Sequence, residues 1–179
     1  MAFWANLVGY QATWLLVVWS AGQQRPMIGI LACVVFIAVQ WLCSRTRAAD
    51  AQVVLAAVAC GLVVDGGLAA GRLLKYASAT PGLAAPLWIV LLWAAFAMTM
   101  NHSMAWFASR PWLAAVFAAI GGPLAYFGAA RGFDAVAFAA PAWPALAMLA
   151  VAWAVALPLL LRIATRRPAE RPLPIEARP

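Results

Sequence analysis

Asn101, His102 and Ser103 stand side by side in residues 86–107, a stretch that is otherwise almost wholly apolar. An imidazole flanked by a carboxamide and a hydroxyl can donate, accept and move protons, so its chemistry would be acid–base catalysis or the hydrogen bonding of a ligand. Polar and ionisable groups in hydrocarbon are costly, about 2.5 to 3.5 kcal/mol for a charge at a helix centre on insertion scales, and they usually persist because something uses them. Treated as one helix at about 100° per residue, the stretch puts Ala95, Thr99, His102, Ser103 and Trp106 on a single face, the better candidate for lining a cavity. Asn101 then points away among Ala94, Ala97, Ala105 and Ala108, where small neighbours suit an interhelical hydrogen bond that holds packing. Plainer roles stand beside these. Thr99 and Ser103 can bond the carbonyl four residues back, and His102 can be a neutral ring satisfied by backbone, at even odds with a functional role.

A second polar feature is Asp65, in Gly61-Leu-Val-Val-Asp-Gly-Gly67. By helical rise it lies about 13 Å from the depth of His102, too far for a direct hydrogen bond, so two separate polar layers are expected. Tyr126 reaches the depth of Asp65 and could share a hydrogen bond with it. Arg72 or Arg131 could instead neutralise the carboxylate, and the sequence leaves a shared proton and an ion pair both open. His102 and Asp65 are therefore the candidate catalytic residues. The candidate binding residues are Thr99, Asn101, His102, Ser103, Trp106 and Tyr126. Small residues in the third span (Ala57, Gly61, Gly67, Gly71) and the fifth (Gly121, Gly122, Ala125, Gly128) predict that these two helices pack tightly. Pro123 predicts a kinked or loosened fifth helix, with a broken-helix binding site as the functional alternative.

The elements that position these groups follow from composition. Apolar residues make up 67% of the 179-residue chain and charged residues 9%, against roughly a quarter charged in an ordinary soluble domain. Runs of about 20 residues at 3–21, 26–43, 51–71, 86–107, 112–130 and 143–161 predict an all-α fold, a polytopic membrane helical bundle with six transmembrane helices. Residues 1–162 would form the transmembrane domain and 163–179 a disordered basic Pro/Arg-rich cytoplasmic tail. The connection at 131–142 is oddly apolar and is expected at the interface or dipping back into the protein. Tryptophans gather near the span ends, where an indole can bury its ring and wet its N–H. Arg45, Arg47, Arg110, Arg162, Arg166, Arg167, Arg171 and Arg178 fall on one side, against Arg25, Arg72, Lys75 and Arg131 on the other. Eight against four favours both termini in the cytoplasm. The first span lacks a basic leader and a cleavage site, so it is read as retained.

Several classes are disfavoured. The net charge of +7 is spread over loops and a tail beside a membrane, which points to anionic lipid headgroups as partners and away from nucleic acid. Cys33, Cys43 and Cys60 have no paired spacing and are read as packing residues, and a lone histidine makes a poor metal site. Neither a metal nor a cofactor is expected. There is no Gly-x-Ser-x-Gly elbow, His-Glu-x-x-His pair or P-loop, and the carboxylates are too few for a metal-dependent lipid transferase.

The run Trp93-Ala-Ala-Phe96-Ala-Met-Thr99-Met-Asn101-His102-Ser103-Met-Ala-Trp106, with Val64-Asp65 before it and Gly121-Gly122-Pro123-Leu-Ala-Tyr126 after it, resembles a family of small bacterial inner-membrane proteins classified as a domain of unknown function. The resemblance covers nearly all the chain except its tail. It implies a five- or six-helix fold in the bacterial inner membrane and carries no activity. It also implies genes neighbouring fatty-acyl-modifying enzymes, which leans the reading towards lipids. Three functions follow as expectations: a noncatalytic accessory of membrane lipid metabolism that binds lipid or a membrane-protein partner, a lipid-tailoring enzyme using His102, or a small proton-linked permease. The oligomeric state is left open.

Overall fold

The structure is a computed structural model that describes residues 3–165. Helices α1 (Phe3–Gly22), α2 (Pro26–Cys43) and α3 (Arg47–Ala70) are followed by a short strand β1 (Leu74–Tyr76). Then come α4 (Leu87–Ala97), a 3₁₀ turn (Ala105–Ser109), α5 (Pro111–Phe133), strand β2 (Val136–Phe138) and α6 (Trp143–Thr165). Pro26 and Pro111 open their helices at positions where a missing N–H costs nothing and the fixed φ is already helical. Asp134, in the left-handed conformation at φ 54°, ends α5.

Side-chain and strand contacts fix the direction of each helix. The Ser78 hydroxyl donates to the Ala21 carbonyl at 3.0 Å, bringing the connection after α3 to the end of α1. Strand β1 pairs antiparallel with β2, Leu74 opposite Phe138 and Tyr76 opposite Val136, so the ends of α3 and α5 meet there too. At the opposite end Asn6 Nδ2 donates to the Met98 carbonyl at 3.2 Å, joining the start of α1 to the end of α4. Odd-numbered helices therefore run one way and even-numbered helices the other. The main interfaces are α5 with α6, α1 with α2, and α3 with α4 and α6.

Four helices, α2, α3, α5 and α6, are long and apolar enough to cross a membrane. Large apolar side chains also stand outward: Val63, Leu42, Leu55 and Val151 are each about two thirds exposed or more. A water-soluble protein rarely presents so much contiguous apolar surface, whereas hydrocarbon solvates it. This is a multi-pass membrane protein.

The expected architecture needs three corrections. The fourth helix does not run through residues 86–107: it stops at Ala97, and residues 98–104 form turns. Bonds from Met98, Thr99 and Met100 N–H go three residues back, to Ala95, Phe96 and Ala97, and the Thr99 hydroxyl bonds the Phe96 carbonyl at 2.6 Å. That tightening, with Asn6 holding the Met98 carbonyl, ends the α-helix. The helical faces assigned to Thr99, Asn101, His102, Ser103 and Trp106 therefore do not exist. The fold is all-α with six helices, as expected, and its two outer connections additionally pair as the short β1–β2 ribbon. That pairing buries Ala135 and Val136 and gives the apolar 131–142 connection a place inside the protein. Helices α3 and α5 hardly touch, and their small residues do not bring them together. Finally, α5 continues unbroken past Pro123. At the C-terminus α6 extends to Thr165, and the basic stretch after it lies outside the described residues.

Candidate functional site

Asp65 is fully buried in α3 and accepts three hydrogen bonds from three other elements. Its Oδ1 receives the Tyr126 hydroxyl of α5 at 2.5 Å and the Tyr76 hydroxyl of β1 at 2.7 Å; its Oδ2 receives Trp93 Nε1 of α4 at 2.7 Å. Arg72 and Arg131 are both exposed, and the Arg131 guanidinium lies over the Phe127 ring at 5.4 Å. The carboxylate is thus held by neutral donors. An indole N–H can only donate, so Oδ2 must accept, and any proton on this group sits on Oδ1 and turns one tyrosine from donor to acceptor.

Glycine makes room for the indole. A Cβ on Gly61 would lie 2.5 Å from Trp93 Cδ1, inside contact distance. The other side of Trp93 stacks on Trp153 of α6, with ring centroids 4.3 Å apart and planes 12° apart. Trp153 rests on Gly122 of α5, where a Cβ would lie 2.4 Å from its Cδ1. The sequence Gly61, Trp93, Trp153, Gly122 is a stack across the bundle, and it explains why α3 and α5 carry glycine without touching.

This stack forms one wall of a cavity of about 410 Å³. Tyr10, Gln11 and Trp14 of α1 line it, as do Phe96 of α4, Tyr126 of α5 and Val136 of β2. No charged side chain among the described residues lines it. Phe117 and Leu124 belong to the lining and are also 48% and 62% exposed, so the cavity reaches the outer surface along α5. Helix α1 makes only sparse contact with α5.

The second polar group lies at the other end of the bundle. Asp50, in the first turn of α3, is buried and accepts from Ser44 Oγ and, at 2.6 Å, from Asn101 Nδ2. Buried Asn6 accepts from Ser103 Oγ at 2.7 Å and from Ser103 N at 3.3 Å. His102 is half-buried in this irregular segment, and its Nε2 has no partner among the described residues. Trp106 is exposed, with the Arg110 guanidinium 4.2 Å above its ring. From residues 98–104 the cavity lining includes Met104 and not Thr99, His102 or Ser103.

Asp65 and Tyr126 are therefore together, Asn101 and Ser103 hold the turn after α4, and Trp106 is apart from both. Asn6, Asp50, Tyr76 and Trp153 escaped the sequence reading, and Trp93 entered it only through the family resemblance. Asn6 carries the same signal as Asn101, a carboxamide in an apolar run. Asp50 sits where a carboxylate favours a helix start. Tyr76 had no signal, because the ribbon that delivers it forms between residues far apart in sequence. Among the described residues no three His, Cys, Asp or Glu side chains converge as metal ligands. Searches of curated proteins and of solved structures returned no match. A family model does match, over residues 3–159, and the chain belongs to that family, described as protein of unknown function (DUF2878).

Proposed function

We propose that this membrane protein holds a neutral lipid in the aromatic cavity among α1, α4, α5 and α6, acting as a lipid-binding accessory. The observation that carries the reading is a space of about 410 Å³, lined by no charged side chain among the described residues, that reaches the outer surface beside α5. Its size falls in the range of ligand pockets, about 300 to 1,000 Å³. Its opening at the outer surface lets a guest arrive sideways from hydrocarbon. The enzyme and permease readings have no comparable support, since His102 does not line the cavity and, among the described residues, the two polar layers share no hydrogen-bonded residue.

The same reading includes six crossings with cytoplasmic termini. The alternating helix directions support it, with residues 98–109 completing the fourth crossing where α4 is too short. The excess of basic residues on the side of the termini supports the orientation. To test the lipid site, the protein is released from native membranes and its retained lipids are counted by native mass spectrometry. Ala118→Trp, which fills the cavity, is expected to remove a tightly held neutral lipid that the wild type keeps. Retention of the same lipid by a folded Ala118→Trp protein would place the lipid elsewhere.

A further inference from the structure

We infer that Trp93 and Trp153 form a one-electron oxidation site, where loss of an electron to an outer-sphere oxidant leaves a hole shared by two stacked indoles beside a carboxylate. The inference stands apart from the lipid site. An oxidised indole is a cation with an acidic N–H, and burying a cation is costly unless an opposite charge meets it. Hydrogen counting puts that charge on Asp65. The Tyr76 and Tyr126 hydroxyls and Trp93 Nε1 bring three hydrogens, and all three go to its oxygens. A proton on Oδ1 would leave one phenol hydrogen with no acceptor among the described residues, so the group is ionised. Its partners are neutral, and its charge therefore acts undiminished on the indole it touches at 2.7 Å.

Two further features set these indoles apart. Their ring centroids lie 4.3 Å apart with planes 12° from parallel, an overlap that spreads a hole over both rings. The reactive bond of each ring is also shielded. Lasting damage to an oxidised tryptophan begins with oxygen or water adding at Cδ1 or Cγ. A Cβ on Gly61 would lie 2.5 Å from Trp93 Cδ1 and 2.7 Å from its Cγ, and one on Gly122 would lie 2.4 Å from both atoms of Trp153. Glycine backbone thus covers one face of each indole and the partner ring covers the other, so oxidation stops at the loss of one electron. In that step the oxidant gains one electron and no atom, and the Trp93 Nε1 proton passes to Asp65 Oδ2 along the existing hydrogen bond. Return of the electron brings the proton back.

In the test, photogenerated tris(bipyridine)ruthenium(III) oxidises the full chain in nanodiscs, and the indole radical is followed by transient absorption. The wild type is expected to show a radical that outlives those of Trp93→Phe, Trp153→Phe and Asp65→Asn by about tenfold or more. Trp112→Phe, which removes an exposed indole of α5, is expected to keep the long-lived radical. After repeated flashes in air, peptide mass spectrometry is expected to find oxygen added at exposed Trp112 and Trp143 and not at Trp93 or Trp153. Should the two aromatic variants not fold, Asp65→Asn and the oxygenation map decide. Absence of a long-lived radical in the wild type, an equal lifetime in a folded Trp93→Phe or Asp65→Asn protein, its loss in Trp112→Phe, or equal oxygenation of all four indoles overturns the inference.

Discussion

Asp65 shows how a bundle can bury a carboxylate without a cation: three neutral donors from three elements converge on its two oxygens. Replacing it with leucine strands those donors, and each unsatisfied buried group costs about 1 to 3 kcal/mol. Asp65→Leu is therefore expected to lose at least about 3 kcal/mol in detergent unfolding. Asp65→Asn should lose less than about 1.5 kcal/mol, because its carbonyl can still accept from Trp93 while its amide donates to tyrosine oxygens. Equal losses would mean that charge, and not hydrogen-bond capacity, is what the site needs. At the other end, Asn101→Leu removes a donor from buried Asp50 and is expected to cost about 1 to 2 kcal/mol. His102→Gln should cost less, since the imidazole makes no hydrogen bond through Nε2 among the described residues. Similar severe losses in both variants would make His102 part of the same packing network.

Adjacent glycines in α5 separate two roles of the small residue. Gly122 underlies Trp153, whereas a Cβ on Gly121 would meet nothing within 4 Å. Gly122→Ala is expected to destabilise by about 1 to 3 kcal/mol through displacement of the Trp93–Trp153 stack. Gly121→Ala should be neutral, or stabilising by up to about 1 kcal/mol through helix propensity. Comparable melting shifts for the two variants would contradict the stack. Helix ends announced by proline were legible in the sequence, as Pro26 and Pro111 show, and so was the depth shared by Asp65 and Tyr126. The end of α4 was not. It depends on Asn6, 92 residues away from the Met98 carbonyl it binds, and local periodicity carries no trace of such a partner. The glycines of α3 and α5 were visible, but they accommodate indoles and not each other, a distinction that needs the third and fourth members of the stack.

For the molecule as a whole, the alternating directions of the helices and the basic residues at the end shared by the chain termini make orientation measurable. Reporter fusions after Arg47 and Pro168 are expected to read as cytoplasmic and one after Ala79 as periplasmic. A periplasmic result at Pro168 would reverse the orientation. The lipid site rests on a different whole-molecule property, which is that the bundle is closed around Leu149 and Leu160 yet accessible beside α5. Photolabelling with a diazirine-bearing neutral lipid, followed by mapping of the labelled peptides, tests this most directly. Label is expected on the cavity residues Phe96, Ala118 and Tyr126 as well as on outward side chains, and not on Leu149 or Leu160, which are buried outside the cavity. Label confined to outward residues such as Val63 and Val151 would contradict a lipid held inside the bundle.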